Sequence, residues 1–258
     1  MTKVIFLGNG PHADSALSVL KQHFEIIFHA KTAADLETVK KLKKEHKDAH
    51  AILASFGVLI KNDVLELFES EGILNIHPSL LPDLRGASPI ESAILRGDTD
   101  FSVSVMKLAK KMDAGPLYFQ TTLNNLPLKK FEIYDTLAKA GATWLAENLE
   151  KLPTPTPQDE EKATFSSKLD KSLSPLLPAE KSAEALFREV VAFEKFPKST
   201  YTFYDTPCII LSAHVSESPD SPLSLECKDG LFLSIDRLQP LSRNPMDPKS
   251  FLNGLKNK

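Results

Sequence analysis

Apolar residues along the first half of the chain arrive in short runs separated by amphipathic stretches. The runs at 4–7, 25–28, 51–54, 72–76 and 102–106 predict strands, and the stretches at 13–23, 33–46, 63–70 and 89–96 predict helices. This strand–helix alternation points to an α/β fold, a parallel sheet covered by helices on both faces. Asn62 and Asp63 are residue types that open helices, and Gly72 closes that segment. Ser88-Pro89-Ile90-Glu91 reads as a capping box with proline at the first helical position, and Gly97 stops the helix. A longer helix over 132–149 carries Ile133, Leu137, Ala140, Trp144 and Leu149 on one stripe, expected to be core packing.

The texture changes after Leu152. Pro153-Thr154-Pro155-Thr156-Pro157 cannot continue a helix, and the residues up to Pro178 stay polar and proline-rich. One helix over 181–193 precedes β-like runs at 200–204, 209–215, 223–227 and 231–235, which suggest a small β-barrel or sandwich. The expected organisation is a first domain over 1–150, a linker over 151–178 and a second domain over 179–258.

Composition narrows this only a little. The chain has 258 residues, 42% hydrophobic and 25% charged, as in ordinary globular proteins. No apolar run approaches the ~20 residues that span a bilayer, and Val4-Ile5-Phe6-Leu7 begins almost at once, so neither an anchor nor a leader peptide is expected. With Cys208 and Cys227 as its two cysteines, a disulfide framework is not expected, and a reducing cytoplasm fits. A formal charge of −3 means that any nucleic acid would have to be held by a local basic patch.

The stretch with chemical content is Asn75-Ile76-His77-Pro78-Ser79-Leu80-Leu81-Pro82-Asp83-Leu84-Arg85-Gly86-Ala87-Ser88-Pro89-Ile90. Asn75 and His77 stand two apart at the end of a predicted strand, so both side chains project from one face, near the carboxyl end where open α/β sheets bind ligands. An amide and an imidazole aimed at one point suit an oxygen that becomes negative during acyl transfer. No cluster has metal-ligand spacing, and neither cysteine lies near this segment. A competing class comes from Gly8-Asn9-Gly10-Pro11-His12-Ala13, which nominally fits the dinucleotide-binding fingerprint. Pro11 removes one amide hydrogen from that cradle, and His29-Ala30-Lys31 stand where an acidic residue would close the second strand.

The string as a whole resembles the signature of the folate-dependent formyltransferases, in which Asn-X-His is followed by Ser-Leu-Leu-Pro. Asp113-Ala114-Gly115 matches the family's Asp-X-Gly turn at the family's separation from Asn75. The resemblance implies a Rossmann-like formyltransferase domain followed by a C-terminal OB-like barrel that grips tRNA. It implies 10-formyltetrahydrofolate as co-substrate and no metal. Asn75, His77 and Asp113 would be catalytic. Phe56, Gly57, Val58 and Leu59, with Ser79, Leu80, Leu81 and Pro82, would bind the folate. Arg85-Gly86-Ala87-Ser88-Pro89-Ile90 resembles the methionyl-tRNA branch and the related sugar-formylating and folate-oxidising branches, while Ala192-Phe193-Glu194-Lys195-Phe196-Pro197 and Leu238-Gln239-Pro240 with Phe251-Leu252-Asn253-Gly254 resemble the branch whose acceptor is initiator methionyl-tRNA. That branch implies a soluble monomer with no membrane partner. The sugar nucleotide and glycinamide ribonucleotide branches would use the same catalytic trio. The second-strand region, with Lys40, Lys41, Lys43 and Lys44 on a helix, lacks the basic insertion usual in the methionyl-tRNA branch.

Overall fold

The computed structural model describes residues 1–68, 72–241 and 243–256. They form two compact units, one made of Met1–Ile90 with Thr99–Ser167, the other of Glu91–Asp98 with the chain from Lys168 onward.

In the first unit, the apolar runs become strands β1 (Lys3–Gly8), β2 (Glu25–Ala30), β3 (His50–Ala54), β4 (Ile73–His77) and β5 (Phe101–Lys107). A sixth strand, β6 (Leu117–Leu123), follows the Asp113 turn; the sequence pattern did not separate it. The sheet order is β2-β1-β3-β4-β5-β6. The first four strands pair in parallel, as the strand–helix alternation requires, whereas β5 runs antiparallel to β4, and β6 antiparallel to β5. The sheet is therefore mixed, because β5 and β6 form an edge hairpin instead of a further crossover unit.

Helix α1 (Pro11–His23) opens with proline, which needs no amide partner in the first turn. Helix α2 (Leu36–Glu45) follows β2. The helix expected over 63–70 is only a short α-turn, α3 (Asn62–Leu65), running into a 3-10 turn at Glu66–Phe68; its last two positions lie outside the described residues. Helix α4 (Pro89–Arg96) begins at its proline, and α5 (Lys130–Asn148) returns after β6. The buried face of α5 is Ile133, Leu137, Ala138, Gly141, Ala142 and Leu145, while Ala140 and Trp144 lie half-buried at its margin. Gly141 is needed there, since a Cβ would come within 2.6 Å of Ile76 on β4. Ile5, Leu7, Leu53, Ile73 and Phe68 form the core on the opposite face. Residues 151–167, expected to open a linker, belong to this first unit: Thr156 exchanges both backbone hydrogen bonds with Leu117 at 2.8 Å.

The second unit is a curled four-stranded antiparallel sheet resembling a small barrel, ordered β7 (Thr200–Phe203), β8 (Thr206–Ser216), β10 (Phe232–Pro240), β9 (Ser224–Glu226). Register shifts around Arg237 bend the long β8–β10 pair. Helix α6 (Ala183–Ala192), capped by the Ser182 hydroxyl on the Ala185 amide, and α7 (Pro248–Lys256) supply Leu186, Val190 and Phe251 to its core. The segment Glu91–Asp98, read from the sequence as part of the first domain, belongs here: a Cβ on Gly97 would lie 3.5 Å from the Arg188 guanidinium of α6.

Candidate active site

Strand β4 puts Asn75 and His77 on one face, as their spacing predicts, and both are buried. Among the described residues none hydrogen-bonds the Asn75 side-chain amide, which leaves its donor and acceptor for something else. The His77 ring is fixed at one nitrogen. Its Nε2 lies 3.2 Å from the Leu84 carbonyl oxygen, which can only accept, so Nε2 carries the hydrogen. In the neutral ring Nδ1 is then bare, and it faces Asp113 Oδ2 across 3.8 Å. Burial pushes the His77 imidazole below its ordinary value, against the opposing pull of the Asp113 charge. The ring is therefore neutral near pH 7 and has an open basic nitrogen.

Asp113 reaches this place by an indirect path. The end of β5 lies beside the start of β4, with Leu74 opposite Lys107, so the loop after β5 must fold back across the sheet to meet His77. Two features shape that loop. Asp113 itself has φ 48°, in the left-handed region that aspartate tolerates better than most residues. At Gly115 a Cβ would sit 1.7 Å from the Lys107 carbonyl oxygen, so only glycine lets the two backbones come so close. The Asp113 carboxylate accepts a hydrogen bond from the Gly86 amide at 2.9 Å, which joins this loop to the one that follows β4.

The Ser79–Pro82 loop is built tightly. Ser79 donates its hydroxyl to the Asp83 carbonyl at 2.6 Å, and its own carbonyl accepts from the Ser104 hydroxyl, also at 2.6 Å. Leu81 is buried, its amide bonded to Ser104 Oγ and its carbonyl to Gln120 Nε2, while Leu80 is half exposed. The Leu81–Pro82 peptide is cis. The Phe56–Leu59 turn leaves β3, the parallel neighbour of β4 with Leu53 beside Asn75, so both loops depart from the same end of the sheet. Phe56 is buried and Val58 half-buried against the core, whereas Leu59 is largely exposed. Gly57 has φ 70° and open space where a side chain would be.

Several residues that sequence reasoning did not mark as site residues hold this arrangement together. Arg85, fully buried, donates to Gln158 Oε1 from Nε at 3.1 Å and from Nη2 at 2.7 Å, and to Glu160 from both terminal nitrogens. Hydrogen bonds from Arg85, then Lys111, hold the Glu160 carboxyl down at about 2. Gln158 turns its Nε2 toward the carbonyls of Asp113 and Gly115, at 2.8 and 2.7 Å. Gln158 and Glu160 sit in the proline-rich stretch, where polar residues look like linker composition.

His12 of α1 faces the carbonyls of Tyr134 at 3.1 Å and Ile76 at 3.4 Å, and burial lowers its pKa to about 4. The ring thus lies between α5 and β4. Among the described residues no group of three or more His, Cys, Asp and Glu side chains is arranged to hold a metal, and no helix is long and apolar enough to cross a membrane.

The formyl transferase family model matches residues 8–149. The methionyl-tRNA formyltransferase of Methylobacillus flagellatus is 31% identical, across 92% of this chain and 80% of the relative. The methionyl-tRNA formyltransferase structure from Clostridium thermocellum superposes with a TM-score of 0.69 at 20% identity, over 83% of this chain and 93% of that one. Aquifex aeolicus HypX in complex with tetrahydrofolic acid superposes with a TM-score of 0.74 at 17% identity. This chain spans 47% of that HypX chain, and at such identities both structures speak for the fold alone. By the family model and by sequence identity over most of its length, the chain belongs to the formyl transferase family.

Proposed function

We propose that this chain transfers the formyl group of 10-formyltetrahydrofolate to the α-amino group of initiator methionyl-tRNA. The observation that carries the chemistry is the trio of the buried Asn75 amide, a buried His77 ring whose bare nitrogen is Nδ1, and the half-buried Asp113 carboxylate 3.8 Å from that nitrogen. The acceptor follows from relatives of that name, which match across both units rather than the catalytic unit alone.

The acceptor amine attacks the formyl carbon, and the carbonyl oxygen becomes an oxyanion. Asn75 donates its amide hydrogen to that oxygen. The attacking nitrogen becomes positive and must lose a proton, while N10 of the folate must gain one before it leaves. His77 Nδ1 takes the proton and faces Asp113 as a cation, stabilised by the carboxylate and adding positive charge near the oxyanion. Returning that proton to N10 breaks the carbon–N10 bond and leaves formylated amine and tetrahydrofolate, with the trio restored. The folate ring lies against the Phe56–Leu59 and Ser79–Pro82 loops, where Gly57 admits close approach of a flat ring. The C-terminal unit grips the tRNA, and the chain works as a monomer in the cytoplasm.

The test is incubation of the purified chain with 10-formyltetrahydrofolate and three acceptors: methionyl-tRNA, an amino-sugar nucleotide and glycinamide ribonucleotide, with mass detection of product. Formylmethionyl-tRNA formed at far the highest kcat/KM supports the reading. Preference for either small acceptor overturns the assignment of tRNA, and no formylated product from any acceptor overturns the reaction class.

A further inference from the structure

The site outlined above rests on an aspartate in an unfavourable backbone conformation, on a loop that folds back across the sheet. Something must hold that loop. The Gly86 amide fixes one end of the Asp113 carboxylate but leaves the loop's own backbone carbonyls to be satisfied. Gln158 satisfies two of them at once, donating from Nε2 to Asp113 O at 2.8 Å and to Gly115 O at 2.7 Å. The amide cannot turn round. Arg85 has only donors, so the oxygen it binds from Nε and Nη2 is Oε1, and the nitrogen must face the loop. Arg85 is itself immobilised, with no exposed surface and both terminal nitrogens on Glu160. We infer that Gln158 is a positioning residue of the formyl-transfer reaction: a side-chain clamp, oriented by Arg85, that holds the Asp113 turn at its distance from His77.

The inference rests on the reading of Asp113 as part of the catalytic trio, and it makes a demand that simple structural support does not. If Gln158 acts through Asp113, its removal matters only while Asp113 is there. Gln158→Met keeps the length and volume of the side chain and removes both hydrogen bonds. Gln158→Glu keeps the acceptor for Arg85 but sets a second oxygen against two carbonyls, and serves if the Met variant does not fold. In the full-length chain either variant should lower kcat on methionyl-tRNA by roughly 10–100-fold, as ångström-scale misplacement of a catalytic group does. KM for both substrates should move less than about threefold. In an Asp113→Ala background the same change should cost less than about twofold, a coupling that a double-mutant cycle reads directly. Hydrogen exchange of amides in the 108–116 loop should speed up in Gln158→Met, whether or not the chain formylates tRNA, while exchange in α1 and α6 stays as in the wild type. An inactive wild type with a loosened loop would count against the proposed reaction and leave the clamp standing. Full activity in both Gln158 variants, an equal loss with and without Asp113, or unchanged exchange in the loop would each overturn the clamp.

Discussion

Gly115→Ala is the most direct way to move Asp113 without touching it. The added Cβ would lie 1.7 Å from the Lys107 carbonyl oxygen and 2.9 Å from its carbon, both backbone atoms of the last residue of β5. Neither can swing aside as a side chain would, and the Lys107 amide is bonded to Pro116 O at 2.9 Å on the other side of the same loop. To reach the 3.0 Å that real Cβ contacts essentially never undercut, the loop must move from the end of β5 by at least about 1.3 Å. Asp113, two residues upstream, moves with the loop. Its 2.9 Å bond from the Gly86 amide and its 3.8 Å approach to His77 Nδ1 are then both lost. A displacement of this size costs about 100-fold in rate, and the overpacking costs about 1–3 kcal/mol in stability. Steady-state kinetics on methionyl-tRNA and urea unfolding measure the two effects on the same sample. Gly230→Ala is the control for general strain: φ is 79° with nothing within 4 Å, so it should lose about 1–2 kcal/mol and keep its kcat. A Gly115→Ala enzyme with kcat within threefold of the wild type would refute the argument that this turn positions the carboxylate.

Asn75→Ala and Asp113→Ala should each lower turnover by at least ~100-fold in folded protein, the usual cost of losing one oxyanion donor or proton-transfer partner; near-normal turnover in either removes that residue from the mechanism. Because burial keeps the His77 imidazole below its ordinary value while Asp113 raises it, activity should fall only as pH drops below the normal histidine range, through the depressed pKa at which Nδ1 becomes protonated. In Asp113→Asn the acid limb of the residual kcat/KM should shift to still lower pH, and a shift upward would contradict the charge argument. His12 is neutral in the folded chain down to about pH 4 but takes a proton near 6.5 once unfolded, so acid favours the unfolded state. Stability should fall by roughly 2–3 kcal/mol from this residue between pH 7 and about pH 4.5, and His12→Gln should flatten that part of the urea-midpoint profile.

The legible part of this molecule was whatever is written locally. Asn75 and His77 could be placed on one face because strand periodicity is two, and that inference needs nothing from the rest of the chain. Pro89 and Gly97 marked α4 for equally local reasons. Strand direction is not a local property: the run at 102–106 reads the same whether β5 lies parallel or antiparallel to β4. The half-buried, mixed Leu117-Tyr118-Phe119-Gln120-Thr121 stretch gave β6 too weak an alternation to stand out. Gln158 escaped notice because its partners, Arg85, Asp113 and Gly115, are all more than 40 positions away in sequence. The segment Glu91–Asp98, most of α4, groups with a unit whose other residues begin at 168, and no composition shift marks that change of allegiance.

That change of allegiance orders events during synthesis. The chain leaves β4, runs through the site loop and enters α4, yet the residues that α4 groups with, Arg188 among them, are made about 90 positions later. At roughly 5–20 residues per second, α4 waits about 5–20 s on the ribosome for its neighbours. Throughout that interval the loop carrying Ser79, Arg85 and Gly86 is anchored at its β4 end, while the helix it leads into still lacks the residues it groups with. Gln158 also emerges late, after every residue that it will hold. A nascent chain therefore gains its sheet first and its chemistry last, and a product released before residue 168 carries the whole catalytic trio next to a helix that has lost its companions.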